Sequence, residues 1–93
     1  MKVYKITFSD HALKDLELHR KSGNKVVLNK IDKLLNELTQ HPKTGTGHPE
    51  ILKHSSEEIY SRRIDQKHRL IYSIYEEIVI VYVFEVYGHY VDK

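Results

Sequence analysis

Three clusters in the second half of this 93-residue chain hold the side chains best suited to chemistry. They are Glu50 with Lys53 and His54, Arg62 and Arg63 with Arg69, and His89 with Tyr90. A carboxylate and an imidazole suit the two ends of a proton relay, one as base and the other as acid. RNA contains a matching substrate. Its 2′-hydroxyl attacks the adjacent phosphorus once a base removes the proton, and an acid protects the departing 5′-oxygen. Gly88 lets the backbone beside His89 approach another group closely. Tyr90 could orient a phosphate or stack on a base. Plain readings stand beside these. Glu50 would be a loop carboxylate, His89 a terminal histidine among seven, and Tyr90 one of seven tyrosines.

The arginines divide in the same way. A hairpin turning about Gln66 sets Arg63 opposite Arg69 with both side chains on one face. Like charges facing each other on a sheet are destabilising, so an anion between them would make sense of the pair. The planar fork of arginine fits a phosphate. Alternatively, Arg62, Arg63 and Arg69 pair at the surface with Asp65, Glu57 or Glu58. A one-residue change of register would also send Arg63 and Arg69 to opposite faces.

Other chemistries drop out. The chain has no cysteine, which excludes disulfides, thiolate zinc sites and cysteine nucleophiles. His48, His54 and His68 are scattered and match no metal-ligand spacing. The net charge is only +2. Residues 1–47 carry nine Lys/Arg and five Asp/Glu, and residues 48–93 carry six and eight. Bulk charge therefore does not mark a nucleic-acid binder, and local geometry would have to do that work. The opening MKVYKITFSD lacks the apolar core of a signal peptide. The longest apolar run, Ile78 to Phe84, is far short of the roughly 20 residues that span a membrane. A soluble, cytoplasmic protein with no membrane partner is expected.

Behind these side chains the sequence predicts one domain over residues 1–93. Val3–Phe8 is rich in β-branched and aromatic residues and predicts a strand. Ser9 is placed to cap a helix with Ala12, Leu13 and Leu16 on its inner face. Asn24 is placed to cap a second helix, whose stripe of Val27, Ile31, Leu34 and Leu38 is widened by Leu28 and Leu35. His41-Pro42 ends that helix, and Lys25, Lys30 and Lys33 lie off the stripe. Residues 43–50 predict a loop. Ile59–Ile64, His68–Tyr75 and Ile78–Tyr87 predict strands, the last a central one covered on both faces. The fold class is α+β: an N-terminal strand, an αα-hairpin, then a mainly antiparallel twisted sheet of three to four further strands.

One resemblance gathers these features. Gly45-x-Gly47-x-Pro49-Glu50-x-Leu52-Lys53, Tyr60-Ser61-Arg62-Arg63-Ile64, His68-Arg69-Leu70-Ile71-Tyr72 and Gly88-His89-Tyr90 together resemble the YoeB-type toxins of the RelE/ParE toxin–antitoxin superfamily. The resemblance implies an endoribonuclease that cuts mRNA in the ribosomal A site, uses no metal or other cofactor, and inhibits translation. By the same resemblance, Glu50 matches the general base, His89 the general acid and Arg69 the phosphate-stabilising arginine. Arg63 and Lys53 match supporting cations, and Tyr90 the terminal tyrosine; Lys53 and Arg62 would contact RNA. Implied partners are the ribosome, its message, a YefM-like antitoxin and a second copy in a homodimer. Two departures stand out: Val91-Asp92-Lys93 follows the His-Tyr pair, and His48 stands where lysine is usual. ParE-type relatives share the fold but bind DNA gyrase without cutting RNA, and a degenerate member would only bind its antitoxin. Both remain as alternatives.

Overall fold

The computed structural model describes residues 3–47, 49–53 and 58–88, the side chain of Lys53 excepted. Its elements run β1 (Lys5–Phe8), α1 (Asp10–Ser22), α2 (Lys25–Leu38), β2 (Glu50–Lys53), β3 (Ile59–Arg63), β4 (Arg69–Tyr75) and β5 (Ile80–Glu85). The five strands form one sheet in the order β1-β5-β4-β3-β2. All neighbours are antiparallel except β1, which runs parallel to β5. The α+β expectation holds. Four strands follow the helices, within the expected three to four, and the one the sequence did not place is β2, at the end of the predicted loop.

Local signals fixed the helix starts. The Ser9 hydroxyl accepts from the Ala12 amide at 3.0 Å and donates to the Phe84 carbonyl at 2.8 Å, so one residue caps α1 and fastens it to the sheet. Asn24 caps α2 by accepting from the Val27 amide at 3.2 Å. Between them Gly23 ends α1 with φ +70°, a left-handed dihedral that glycine adopts without steric cost. α2 stops at Leu38, before the predicted proline boundary, with Thr39 as its C-cap.

The core lies between the helices and one sheet face. Val27, Ile31, Leu34 and Leu38 of α2 meet Tyr60, Leu70, Tyr72, Val81 and Val83 in a single buried cluster. β5 departs from its expected burial. Val81 and Val83 are fully buried, whereas Tyr82 and Phe84, which point the other way, are half-buried. The apolar run therefore alternates in burial although it does not alternate in polarity. Ile78 and Val79 belong to the turn rather than the strand.

α1 corrects a second expectation. Leu13 is 52% exposed, and the buried positions are Ala12, Asp15 and His19. Two polar side chains displace an apolar one because the backbone after β5 needs partners there. Asp15 Oδ2 accepts from the Val86 amide at 2.9 Å and the Tyr87 amide at 3.3 Å. His19 Nε2 donates to the Val86 carbonyl at 2.8 Å.

Candidate active site

Strand pairing decides which side chains can meet. Glu50 pairs with Ser61, Ser61 with Ile71, and Arg63 with Arg69. Paired residues share a face, and side chains alternate along a strand. Glu50, Ser61, Arg63 and Arg69 therefore project from one face of β2, β3 and β4, the face that does not carry the helices. The Glu50 rung and the arginine rung are about 7 Å apart, two residues along a strand. The Arg69 guanidinium leans back across that gap and donates to the Ser61 hydroxyl at 3.4 Å, towards the rung that carries Glu50.

Arg63 is exposed and Arg69 half-buried. Among the described residues neither forms an ion pair with a carboxylate. Two of the acids expected to neutralise them are occupied elsewhere. Asp65 Oδ1 accepts from the Lys67 and His68 amides at 2.8 and 2.7 Å, and Glu58 accepts from the Tyr60 hydroxyl at 2.9 Å. Burial alone would push the Asp65 carboxyl up, but those two amides and the nearby His68 and His19 hold it below its ordinary range. Glu57 lies outside the described residues. A hollow of 510 Å³ opens beside Arg63, lined also by Lys30, Thr46, Gly47, Asp65 and Gln66. Lys30, which the sequence placed among solvated lysines, thus brings a cation from α2 to the same hollow.

Arg62 does not belong to this face. It alternates with Arg63, points among the core residues and is 0% exposed. Its guanidinium donates to the carbonyls of His41 and Thr44, to Glu37 at 3.1 Å and to the Tyr72 hydroxyl at 3.0 Å. Tyr72 in turn donates to the Pro42 carbonyl at 2.7 Å. The expected RNA contact through Arg62 is therefore corrected. Every donor is used inside the protein, and the residue shapes the loop that delivers Glu50. Gly47 finishes that loop. Its carbonyl accepts from the Arg63 amide at 2.7 Å, and a Cβ here would lie 2.7 Å from the Arg63 carbonyl oxygen at φ +88°. Only glycine allows this approach.

Glu37 completes the same knot by accepting from the Thr46 amide at 2.7 Å. Partial burial would raise its pKa, but the Thr46 hydrogen bond and the charges of Arg62 and Lys33 outweigh that and lower it from 4.5. A carboxyl depressed on folding stabilises the native state above its unfolded value and loses that contribution as pH falls through the folded value. Stability should therefore decline on acidification below about pH 4.5. Glu37→Gln should flatten that decline, measured as the urea midpoint against pH.

His89, Tyr90, His48 and the Val91-Asp92-Lys93 extension lie outside the described residues, as does the Lys53 side chain. Gly88, the residue before His89, is held by the chain entering β4. Arg69 donates its amide to the Gly88 carbonyl at 2.9 Å, and the Gly88 amide donates to His68 Nδ1 at 2.8 Å. Among the described residues no group of three or more His, Asp or Glu side chains is arranged to hold a metal ion. No described helix is long and apolar enough to cross a membrane.

Residues 8–90 match the family described as "YoeB-like toxin of bacterial type II toxin-antitoxin system". The chain belongs to the YoeB-like toxin family. Toxin YoeB of Escherichia coli K12 is 31% identical over 77 residues, covering 83% of this chain and 90% of that protein. The YoeB/ParE toxin from Agrobacterium tumefaciens superposes with a TM-score of 0.83 at 27% identity, over 92% of this chain and 99% of that one. YoeB of Staphylococcus aureus has been solved as a dimer (TM-score 0.78, 32% identity) and in complex with YefM (0.75, 33%). Each covers 94% of this chain and 98% of the other. This YoeB-like chain therefore keeps the whole family fold, with two adjacent arginines serving opposite faces of β3.

Proposed function

We propose that this toxin is a metal-independent endoribonuclease that cuts mRNA in the ribosomal A site. The observation that carries the reading is the strand-paired Arg63 and Arg69, without a carboxylate partner among the described residues and on the same face as Glu50. Two cations forced together at a strand pair are unfavourable alone and favourable around a phosphate.

In the mechanism, the Glu50 carboxylate takes the proton of the 2′-hydroxyl. The 2′-oxygen bonds to phosphorus as the bond from phosphorus to the 5′-oxygen breaks, and His89 gives that oxygen a proton. The products are a 2′,3′-cyclic phosphate and a 5′-hydroxyl. Arg69 and Arg63 stabilise the charge that grows on the phosphoryl oxygens, with Lys53 as a supporting cation and Tyr90 shaping the site.

The domain works in the cytoplasm with the ribosome as part of the active complex. A net charge of +2 gives little general affinity for polyanions, so the ribosome supplies the alignment. The likeness to S. aureus YoeB, solved with YefM and as a dimer, supports a YefM-like antitoxin and a homodimer as partners.

Brief expression followed by mapping of cuts in translating messages tests the reading. Cuts in frame with the A-site codon are expected. Double-strand DNA breaks would favour gyrase poisoning, and neither outcome would leave an antitoxin-binding protein. A message with 2′-deoxyribose at the cut position should be inert, and cleavage there would exclude attack by the 2′-hydroxyl.

A further inference from the structure

We propose that His68 is a positioning residue: its imidazole fixes Gly88 and so sets the direction in which the chain leaves for His89. The role rests on the reading of His89 as general acid.

Gly88 is gripped on both sides by His68 and Arg69, where the chain enters β4. Its amide donates to His68 Nδ1 at 2.8 Å, and its carbonyl accepts from the Arg69 amide at 2.9 Å. His68, just before β4, and Arg69, its first residue, thus hold the tail from adjacent positions, and Arg69 also sends its guanidinium to Ser61. Upstream, Asp15 and His19 bind the backbone of Val86 and Tyr87. The segment therefore approaches His89 with its direction already fixed by three side chains and one strand.

The imidazole is itself held. Its ring meets His19 edge-on, with centroids 4.8 Å apart, and lies tilted against Tyr87 at 4.4 Å. Its own amide is bound by Asp65 Oδ1 at 2.7 Å. A ring packed in this way has little freedom to swing, so its Nδ1 lone pair stays aimed at the Gly88 amide. Gly88 has φ +80°, which glycine adopts freely. Acceptance at Nδ1 requires that this nitrogen carry no proton. The grip exists with the neutral ring and is lost when the ring is protonated. The titratable and charged groups facing the ring's cleft are His19 from α1, Tyr87 from the tail, and Asp65 and Lys67 from the β3–β4 turn.

The test compares the wild-type toxin with His68→Leu, which removes the acceptor, and His68→Asn, whose Oδ1 can take the place of Nδ1. Two quantities are read. One is the protection of the Gly88 amide against hydrogen exchange, normalised to its intrinsic rate at each pH. The other is kcat and KM for cutting ribosome-bound message. His68→Leu should lower Gly88 protection about tenfold and kcat by up to about 10²-fold, with KM little changed. His68→Asn should restore both. In the wild type, protection should fall on acidification as the imidazole takes its second proton, and in His68→Asn it should not. A leucine variant with full protection and full kcat would overturn the proposal. So would an asparagine variant as impaired as the leucine one, or wild-type protection indifferent to acid. A wild-type toxin that cuts no message while keeping Gly88 protected would refute the nuclease reading instead, and the positioning role would fall with it.

Discussion

Glu50→Gln should lower the rate of message cleavage by about 10²- to 10⁴-fold, the usual contribution of a general base, and leave the fold untouched. Glu50 is exposed at the start of an edge strand. The amide is nearly isosteric, and substitutions at such positions shift stability by no more than about 0.5 kcal/mol. Single-turnover cleavage of ribosome-bound message measures the first effect and a urea melt the second. His89→Gln should be comparably damaging. Adding it to Glu50→Gln should cost less than the product of the single losses, because base and acid act in one step. Arg69→Lys should cost about 10²–10³-fold, since an ammonium keeps the charge but not the fork. A Glu50→Gln, His89→Gln toxin that cuts at the parental rate would refute the assignment.

Arg62→Leu should be the most destabilising single change in the domain, at about 3–5 kcal/mol. The guanidinium is fully buried, and its removal takes a donor from the carbonyls of His41 and Thr44, from the Tyr72 hydroxyl and from the Glu37 carboxylate, leaving Tyr72 only Pro42 and Glu37 only the Thr46 amide. In a domain of this size each kcal/mol moves the melting temperature by roughly 4–8 °C, so a fall of at least about 12 °C is expected. Arg63→Ala, one residue along and exposed, should move it by only a few degrees while lowering activity. Differential scanning calorimetry of the two variants separates these outcomes. Equal melting temperatures would show that the buried network carries no net stability.

These contrasts mark where the sequence was legible. Ser9, Asn24 and the stripe from Val27 to Leu38 could be read because caps and helical periodicity are decided by residues a few positions apart. The hairpin about Gln66 was legible for the same reason, and it placed Arg63 opposite Arg69. The direction of Arg62 was harder. An arginine within a strand normally seeks water, and what draws this one inward is a loop 16–21 residues away in sequence. Asp15 and His19 were missed because their partners lie 67–72 residues distant. Their polarity argued for solvent until the backbone after β5 arrived to be bound. β2 was hidden by the glycines and proline just before it. The parallel pairing of β1 with β5 has no local signature at all. The resemblance supplied roles for His89 and Tyr90, which lie beyond the described residues.

That parallel pair carries a consequence for synthesis. Among the described residues β1 pairs with β5 alone, and Asp15 and His19 of α1 bind the backbone of residues 86 and 87. A nascent chain that has made both helices still lacks the surface they cover. Closure waits until residues 80–88 have cleared the ribosomal exit tunnel, so the sheet and the face that carries Glu50, Arg63 and Arg69 are completed late in synthesis. The last pairing of the sheet and the completion of the arginine-bearing face become one event, so any truncation before residue 80 removes both together.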